Sequence, residues 1–493
     1  MATDIIAQGL AASASNALGG LSLSYGERLR RAARAAQLSN IMDNLPWTVA
    51  APWAASTAYQ TGAVVSASVT ANTVTHTAYY VQLGSAGTSG GSAPTWRLDG
   101  ITIADNGLIW AYAGDRPMAA NDALAPTVAL TTAGNPNTNP FTGTTTQQVF
   151  PSTFPQAFSV ANGTPALTSS YWNFTGFNDY SGHATSATGV GLSFIVDDIG
   201  FSIISVTTWG RSTIAIDDRI FSPSWVQQAS ASSYNFASFT FSTRKPRKVE
   251  IFSGTASYGF NGIATANPSA VRPAPPRTVN AVMVSDSYDA GSSYHPFTAY
   301  GQLGTQVGHR LGWNVLHMAT GGTGFCNPNT SYYTFPQRVA DTGNAAKIAT
   351  ADVVFGYGST NDSGYTGAQI QAAVATFYAN VRAVNKTCAI IWFGPAPIGT
   401  SLGALQTYQA VDTALATAFA AIHASDKRVF YYPFANAALS TTPLMNQYQS
   451  GYYGNTVGIL INAGDNVHPT DLGVNAISKW MSDTIYNSVL PVL

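Results

Sequence analysis

The sequence predicts a multidomain protein. Its C-terminal part reads as a three-layer α/β unit on a parallel sheet, preceded by a β-sandwich or jelly roll, a small β-module and N-terminal helices. Three observations carry this. From Val279 onward, short apolar runs alternate with helical patterns, which implies parallel strands joined by crossover helices. Between residues 151 and 267, short alternating runs are separated by turn residues, as in a sandwich. Hydrophobic residues make up 45% of the 493 positions and charged residues only 9%, against about 25% charged in an average soluble protein. Such a chain can fill several cores, and its surfaces are neutral and rich in Ser, Thr, Asn, Gln and Gly.

Residues 1–45 read as helical. Ala2–Leu21 is weakly amphipathic. In Tyr25–Leu45, Leu29, Ala33, Ala36, Leu38, Ile41 and Leu45 recur at roughly helical spacing beside four arginines. This segment is either an attachment or oligomerisation helix, consistent with a trimer, or a helix packed on its own chain. Residues 46–115 form a small aromatic-rich β-module, with Trp53, Tyr80 and Trp96 as candidates for stacking on sugar rings; in so small a unit several of these rings must instead be core. Residues 116–150 read as a linker or irregular segment, 151–277 as the sandwich and 278–493 as the α/β unit. The basic run Arg244–Lys248 is a solvated turn before a strand or, less simply, a basic site. Pro268–Arg277 is proline-rich and reads as a boundary.

Composition excludes several classes. A net charge of −1 gives no field for a polyanion, so no nucleic-acid partner is expected. Two cysteines, Cys326 and Cys388, cannot make a disulfide framework; one bridge or two thiols remain open. No zinc-type Cys/His spacing occurs, and no metal or other cofactor is implied. No basic start followed by an apolar run opens the chain, and no apolar segment reaches about 18 residues, so neither a signal peptide nor a membrane span is expected.

Four stretches of the C-terminal unit carry chemistry: Ser285-Asp286-Ser287 after the first strand, Ala319–Phe325 after the second, Gly356–Asp362 after the third, and Asp465–Gly473 opening the last helix. In an open α/β sheet all four can converge on one rim. Acyl transfer needs a nucleophile, a base, a group orienting the base, and donors for the oxyanion. Ser287 can attack and His468 can take its proton. Asp465, three residues earlier, can hold the imidazole tautomer. The Ser287 and Gly322 N–H groups and the Asn361 amide are suitable oxyanion donors, with Gly321, Gly322 and Gly324 competing for the glycine role. The remaining histidines, His317 and His309 among them, read as structural.

The order Ser…Gly…Asn…Asp-x-x-His resembles the SGNH/GDSL hydrolase family over about Val279–Leu493. The resemblance implies a flavodoxin-like parallel sheet, Ser287 as nucleophile, Gly322 and Asn361 as oxyanion donors, and Asp465 with His468 completing the triad. Two departures stand out. The usual Gly-Asp-Ser is Ser285-Asp286-Ser287 here, and the glycine usually two before the asparagine is Ser359, with Gly358 adjacent.

In the small module, the pattern Trp53-x5-Tyr59-x2-Gly62-x-Val64 followed by GTSG, PTW and LIW is similar to sugar-binding-like modules of phage tail and chitinolytic proteins. The expectation is therefore a serine esterase that removes O-acetyl groups from a polysaccharide, extracellular and carried in a virion, with phage tail proteins as partners. Its rivals are a lipase or simple-ester hydrolase and a non-catalytic glycan receptor.

Overall fold

The computed structural model describes residues 25–38, 50–59, 63–71, 74–82, 85–97, 102–114, 126–133, 147–161, 166–168, 171–173, 191–206, 212–225, 234–253, 259–266, 271–290, 302–330, 332–396, 402–435, 467–468 and 471–493. The N-terminal helix α1 is Tyr25–Leu38. In the C-terminal unit the strands are β1 Val279–Ser285, β2 Trp313–Ala319, β3 Val353–Tyr357, β4 Ala389–Phe393 and β5 Val429–Tyr432. The helices are α2 Ser287–Ala290, α3 Leu303–Leu311, α4 Phe335–Ala340, α5 Thr342–Ala349, α6 Gly367–Val384, α7 Leu402–Ser425 and α8 Asp471–Thr484.

All five strands are parallel, in the order β2-β1-β3-β4-β5. This is the flavodoxin-like order, whose reversal point lies between β1 and β3, where such sheets place ligands. The strands are nearly all apolar because both faces are covered. Ala281, Met283, Val353, Phe355 and Ile391 enter one core. Val282, Val284, Val354, Ile390 and Trp392 enter the other. Helix α6 buries the face expected of it, Ile370, Val374, Phe377 and Val381, and starts on a capping box between Thr366 and Gln369. The stretch from Phe335 to Ala349 forms two helices, α4 and α5. Asp341 ends α4 and caps α5, accepting from the N–H groups of Gly343 and Asn344, a role for which aspartate is well suited.

Of the two alternatives for the N-terminal segment, Tyr25–Leu38 packs on its own chain. Leu29 and Ala33 join the core formed by Val279, Leu311, Trp313, Val489 and Leu490. The Tyr25 hydroxyl donates to the Asp352 carbonyl and accepts the Ala389 N–H. Both Arg28 nitrogens grip the Asp352 carboxylate, a bidentate geometry that fixes position as well as charge. These contacts lie where β3 and β4 begin, the end of the sheet opposite Ser287. Ala2–Leu21 and 39–45 lie outside the described residues.

The region ahead of the α/β unit is one continuous antiparallel sheet, with eleven strands among the described residues. Gly191–Val206 and Tyr234–Ser253 pair along nearly their whole length, with a register shift between Asp198 and Gly200. Each long strand merges two of the short ones expected from sequence. Their flanking partners change on either side of the shift, and one aromatic-rich core, including Phe194, Phe201, Phe239 and Phe260, draws on both halves. Thr127–Ala133 and Gln147–Val149 belong to this sheet, so the expected linker over 116–150 contributes two strands.

The basic run Arg244–Lys248 is neither a turn nor a free basic site. It lies inside the long strand with its charges matched. Arg247 is buried over the Phe241 ring at 3.5 Å, and Lys248 sits 3.0 Å from both Asp218 and Glu250. The turn residues Asp217 and Asp218, distant in sequence, make this strand tolerable.

In the small module, Tyr80 is fully buried, with its hydroxyl donating to the Arg97 carbonyl. Trp96 packs 4.4 Å from it, and the indole N–H groups of Trp53 and Trp110 both donate to Asp105 at 2.9 Å. Of the sugar-stacking candidates, Tyr80 is part of the module's core, whereas Trp53 and Trp96 are half-buried against it. A four-stranded sheet alone has too little apolar surface without its largest rings.

Leu29→Ala tests the docking of α1. A wholly buried leucine predicts a loss of about 2–5 kcal/mol, read as a lower unfolding midpoint of the full chain; an unchanged midpoint would contradict the packing.

Candidate active site

Strand β1 ends in three polar residues, and each is placed differently. The Ser285 hydroxyl donates to the Tyr357 carbonyl at 2.8 Å, tying the ends of β1 and β3. Asp286 is fully buried and accepts the Tyr288 N–H at 3.1 Å, while its carbonyl accepts from Asp289 and Ala290. It therefore caps the short helix α2. Ser287, the first residue of α2, is half-buried between these two anchors and the buried Tyr288. The sequence Ser-Asp-Ser thus spends its first two side chains on holding the third at the rim.

Beside it runs the loop after β2. The Thr320 N–H donates to the Ser285 carbonyl at 3.2 Å. A side chain on Gly321 would point at Ser287, its Cβ 3.6 Å from the serine Cβ. Gly322 has φ +76, and a Cβ there would lie 2.4 Å from the Asn329 amide, which donates to the Gly321 carbonyl. A Cβ on Gly324 would strike the Asp362 carboxylate at 2.4 Å. Gly322 and Gly324 thus have separate reasons to be glycine, whereas at Gly321, the one facing Ser287, a Cβ would make only ordinary van der Waals contact.

After β3, Asn361 lies on a turn spanning Thr360–Asp362, and its amide donates to the Thr323 carbonyl at 2.9 Å. Its neighbour Asp362 is buried and accepts the N–H groups of Phe325, Cys326 and Asn327 at 2.7, 2.9 and 2.9 Å, together with the Ser359 hydroxyl. Burial pushes its carboxyl up, against the pull of those donors. Ser359 sits at φ +89, left-handed backbone that glycine adopts freely. Serine at this position therefore keeps the turn and adds a hydrogen bond.

His468 is half-buried with its ring 5.9 Å from that of Tyr288, and the Val467 carbonyl accepts the Tyr288 hydroxyl. The residue following Ser287 thus holds the segment that carries the histidine. The structure gathers Ser287, Gly321, Gly322, Asn361 and His468 around the ends of β2, β1 and β3. Asp465 lies outside the described residues.

Two features were not anticipated from sequence. Arg338 is wholly buried beneath the rim, donating to the carbonyls of Ser285 and Met318 at 2.8 and 2.7 Å, to the Thr323 hydroxyl at 2.7 Å and to the Tyr333 carbonyl. Its sequence signal was faint: an arginine amid Phe335 and Val339 on a helix that otherwise buries apolar residues. The second is a buried pair, His317 Nδ1 to Asp289 Oδ2 at 2.7 Å, with Asp289 also accepting the Gly304 N–H. It locks α2 to α3 and β2. Cys326 and Cys388 are free thiols; burial and the nearby Asp362 push Cys326 up to about 12, so it is a poor nucleophile.

No family model and no curated protein sequence matches the chain. Among solved structures, the salicylyl-acyltransferase SsfX3 from a tetracycline biosynthetic pathway aligns with a TM-score of 0.51 at 12% identity, covering 71% of this chain and 99% of that one. A family two carbohydrate esterase from Cellvibrio japonicus aligns at TM-score 0.48 and 15% identity, covering 69% and 97%. The acetyl xylan esterase Est2A from the rumen bacterium Butyrivibrio proteoclasticus aligns at 0.48 and 13%, covering 70% and 98%. The likeness to SsfX3 is one of fold, and at 71% of the chain it takes in more than residues 278–493.

Two outcomes follow from the rim. Replacing Arg338 with methionine leaves buried carbonyls unpaired and is expected to cost about 3–5 kcal/mol, measured by denaturant unfolding. Ser359→Ala keeps the unfavourable φ and loses the bond to Asp362, whereas Ser359→Gly loses only the bond. Alanine should therefore destabilise more than glycine, by roughly 1 kcal/mol; the reverse order would argue against the left-handed turn.

Proposed function

We propose that this protein is a serine esterase that removes O-acetyl groups from a polysaccharide. The observation that supports it most is the contact of the His468 ring with Tyr288, the residue after Ser287, near the reversal point of a parallel sheet. In this reading the Ser287 hydroxyl attacks the acetyl carbonyl as His468 takes its proton. The tetrahedral oxyanion receives hydrogen bonds from the Ser287 and Gly322 N–H groups and the Asn361 amide. Collapse expels the sugar hydroxyl, which takes the proton back from His468, and leaves an acetyl-serine. Water, activated by the same imidazole, then releases acetate. Asp465 orients His468 from three residues upstream.

The polysaccharide part of the proposal rests on the neutral, hydroxyl- and amide-rich composition and on the β-domains ahead of the catalytic unit. The phage-tail setting rests on the pattern of the small module. With Tyr80 in the core of that module, Trp53 and Trp96 keep the partial exposure that sugar stacking needs, and the acetylated sugar itself is assigned to the rim loops around Ser287.

Acetate release from an acetylated glycan tests the reading, with Ser287→Ala and Asn361→Ala alongside wild type. Loss of the nucleophile should lower kcat by at least about 10³-fold, and loss of one oxyanion donor by about 10²–10³-fold, with circular dichroism unchanged. Glycan binding without acetate release by wild type would favour a receptor instead. Preference for long acyl chains would favour a lipase.

A further inference from the structure

Asp286 does more than cap α2. Its Oδ1 is used by the Tyr288 N–H, but its Oδ2 has no hydrogen-bond partner among the described residues, although the side chain is wholly buried. A buried carboxylate oxygen left unpaired is expensive. A simple cap does not need it, since serine or asparagine would cap α2 without a buried charge. The oxygen is also given room. Gly358, with φ +126, faces it, and a Cβ there would lie 2.5 Å from Oδ2.

The charges that act on Asp286 come from every wall of the site: His468 ahead of α8, Arg338 on α4, and Asp362 on the turn after β3. Two of these are already engaged elsewhere: Arg338 through both terminal nitrogens, on three carbonyls and the Thr323 hydroxyl, and Asp362 on N–H groups and the Ser359 hydroxyl. His468 is the one whose charge must change during acyl transfer.

We propose that Asp286 is a second carboxylate of the site: a positioning residue that holds the serine turn through one oxygen and, through its charge, stabilises the imidazolium formed when His468 takes the Ser287 proton. The inference rests on the esterase reading. It differs from the role of Asp465, which orients the imidazole by a direct hydrogen bond. Asp286 acts from beneath, through the buried interior, where charges are screened less than in water.

The ionisation of Asp286 gives the idea its pH dependence. Burial pushes its carboxyl up to about 7, against the pull of the Tyr288 N–H, His468 and Arg338; Asp362 pushes the same way as burial. The charge therefore builds up through the neutral range, half complete near pH 7. A raised carboxylate means that the native state holds the proton more tightly than the unfolded chain. Its contribution to stability is complete below about pH 4 and is lost as pH rises through about 7.

The experiment is the pH profile of kcat/KM on p-nitrophenyl acetate from pH 5 to 9, for wild type, Asp286→Asn and Ser287→Ala. With asparagine at 286, His468 loses its nearby anion. The acid limb should move down by about half to one pH unit, and the plateau should fall about tenfold. The decline in unfolding midpoint between pH 4 and 7 should also flatten. An asparagine variant with wild-type midpoint and plateau would overturn the proposal. Should that variant not fold, the ring-proton titration of His468 in histidine-labelled wild type decides. Two coupled steps support the proposal, and one simple step sinks it. Failure of the esterase reading shows separately, as Ser287→Ala retaining activity.

Discussion

The whole rim depends on one constraint: loops leaving a sheet buried on both faces carry backbone groups that water cannot reach. Each must be paired, because an unpaired buried group costs as much as a lost hydrogen bond or more. Asp362 and Arg338 meet this demand with opposite charges. The carboxylate gathers three consecutive N–H groups of the loop after β2. The guanidinium gathers the carbonyls that end β1 and β2. Together they draw the loops after three neighbouring strands to one place, where Ser287, Gly321 and Asn361 lie. The side chains proposed to react add one bond to this, from the Asn361 amide to the Thr323 carbonyl. They are held by residues one position away: Asp286 and Tyr288 for Ser287, Asp362 for Asn361, and Val467 for His468.

The α/β unit was readable from sequence because its signal is local. A run such as Val282–Val284 has to be a covered strand, and the spacing of Ile370, Val374, Phe377 and Val381 has to be a helix face. All five strands lie where the pattern puts them. What could not be read depends on distant partners. The long strands of the β-sheet look like pairs of short ones because polar residues interrupt each run. Arg247 and Lys248 resemble a solvated turn until Asp217, Asp218 and Glu250 are brought alongside. Arg338 and Asp362 look ordinary because the groups they satisfy are backbone atoms, which carry no residue identity. Of the candidate site, the side chains proposed to react were legible as a motif and their supports were not.

Two positions where the resembled motif carries glycine are serine here, and each has a physical role. Ser285 ties β1 to β3 through its hydroxyl. Ser359 accepts left-handed backbone and donates to Asp362. Each substitution exchanges conformational freedom for a buried hydrogen bond, and both bonds bear on the same rim. The glycines that remain are those with no such exchange open to them. Gly358 faces the Asp286 carboxylate and Gly324 that of Asp362, and any side chain would displace a buried charge.

The position of α1 bears on how the domains divide the work. Its residues belong to the core of the C-terminal unit, yet about 240 residues separate it from β1. The small module and the β-sheet are therefore an insertion in a unit that both precedes and follows them. Both junctions lie at the same end of the parallel sheet: α1 at Asp352 and Ala389, and Arg277 at the Trp313 carbonyl and His309. Phe252 of the inserted sheet packs on that same histidine, 4.6 Å between rings. The inserted sheet is thus anchored opposite the rim that carries Ser287, whereas strand Leu108–Gly114 of the small module touches α8, the helix that follows His468.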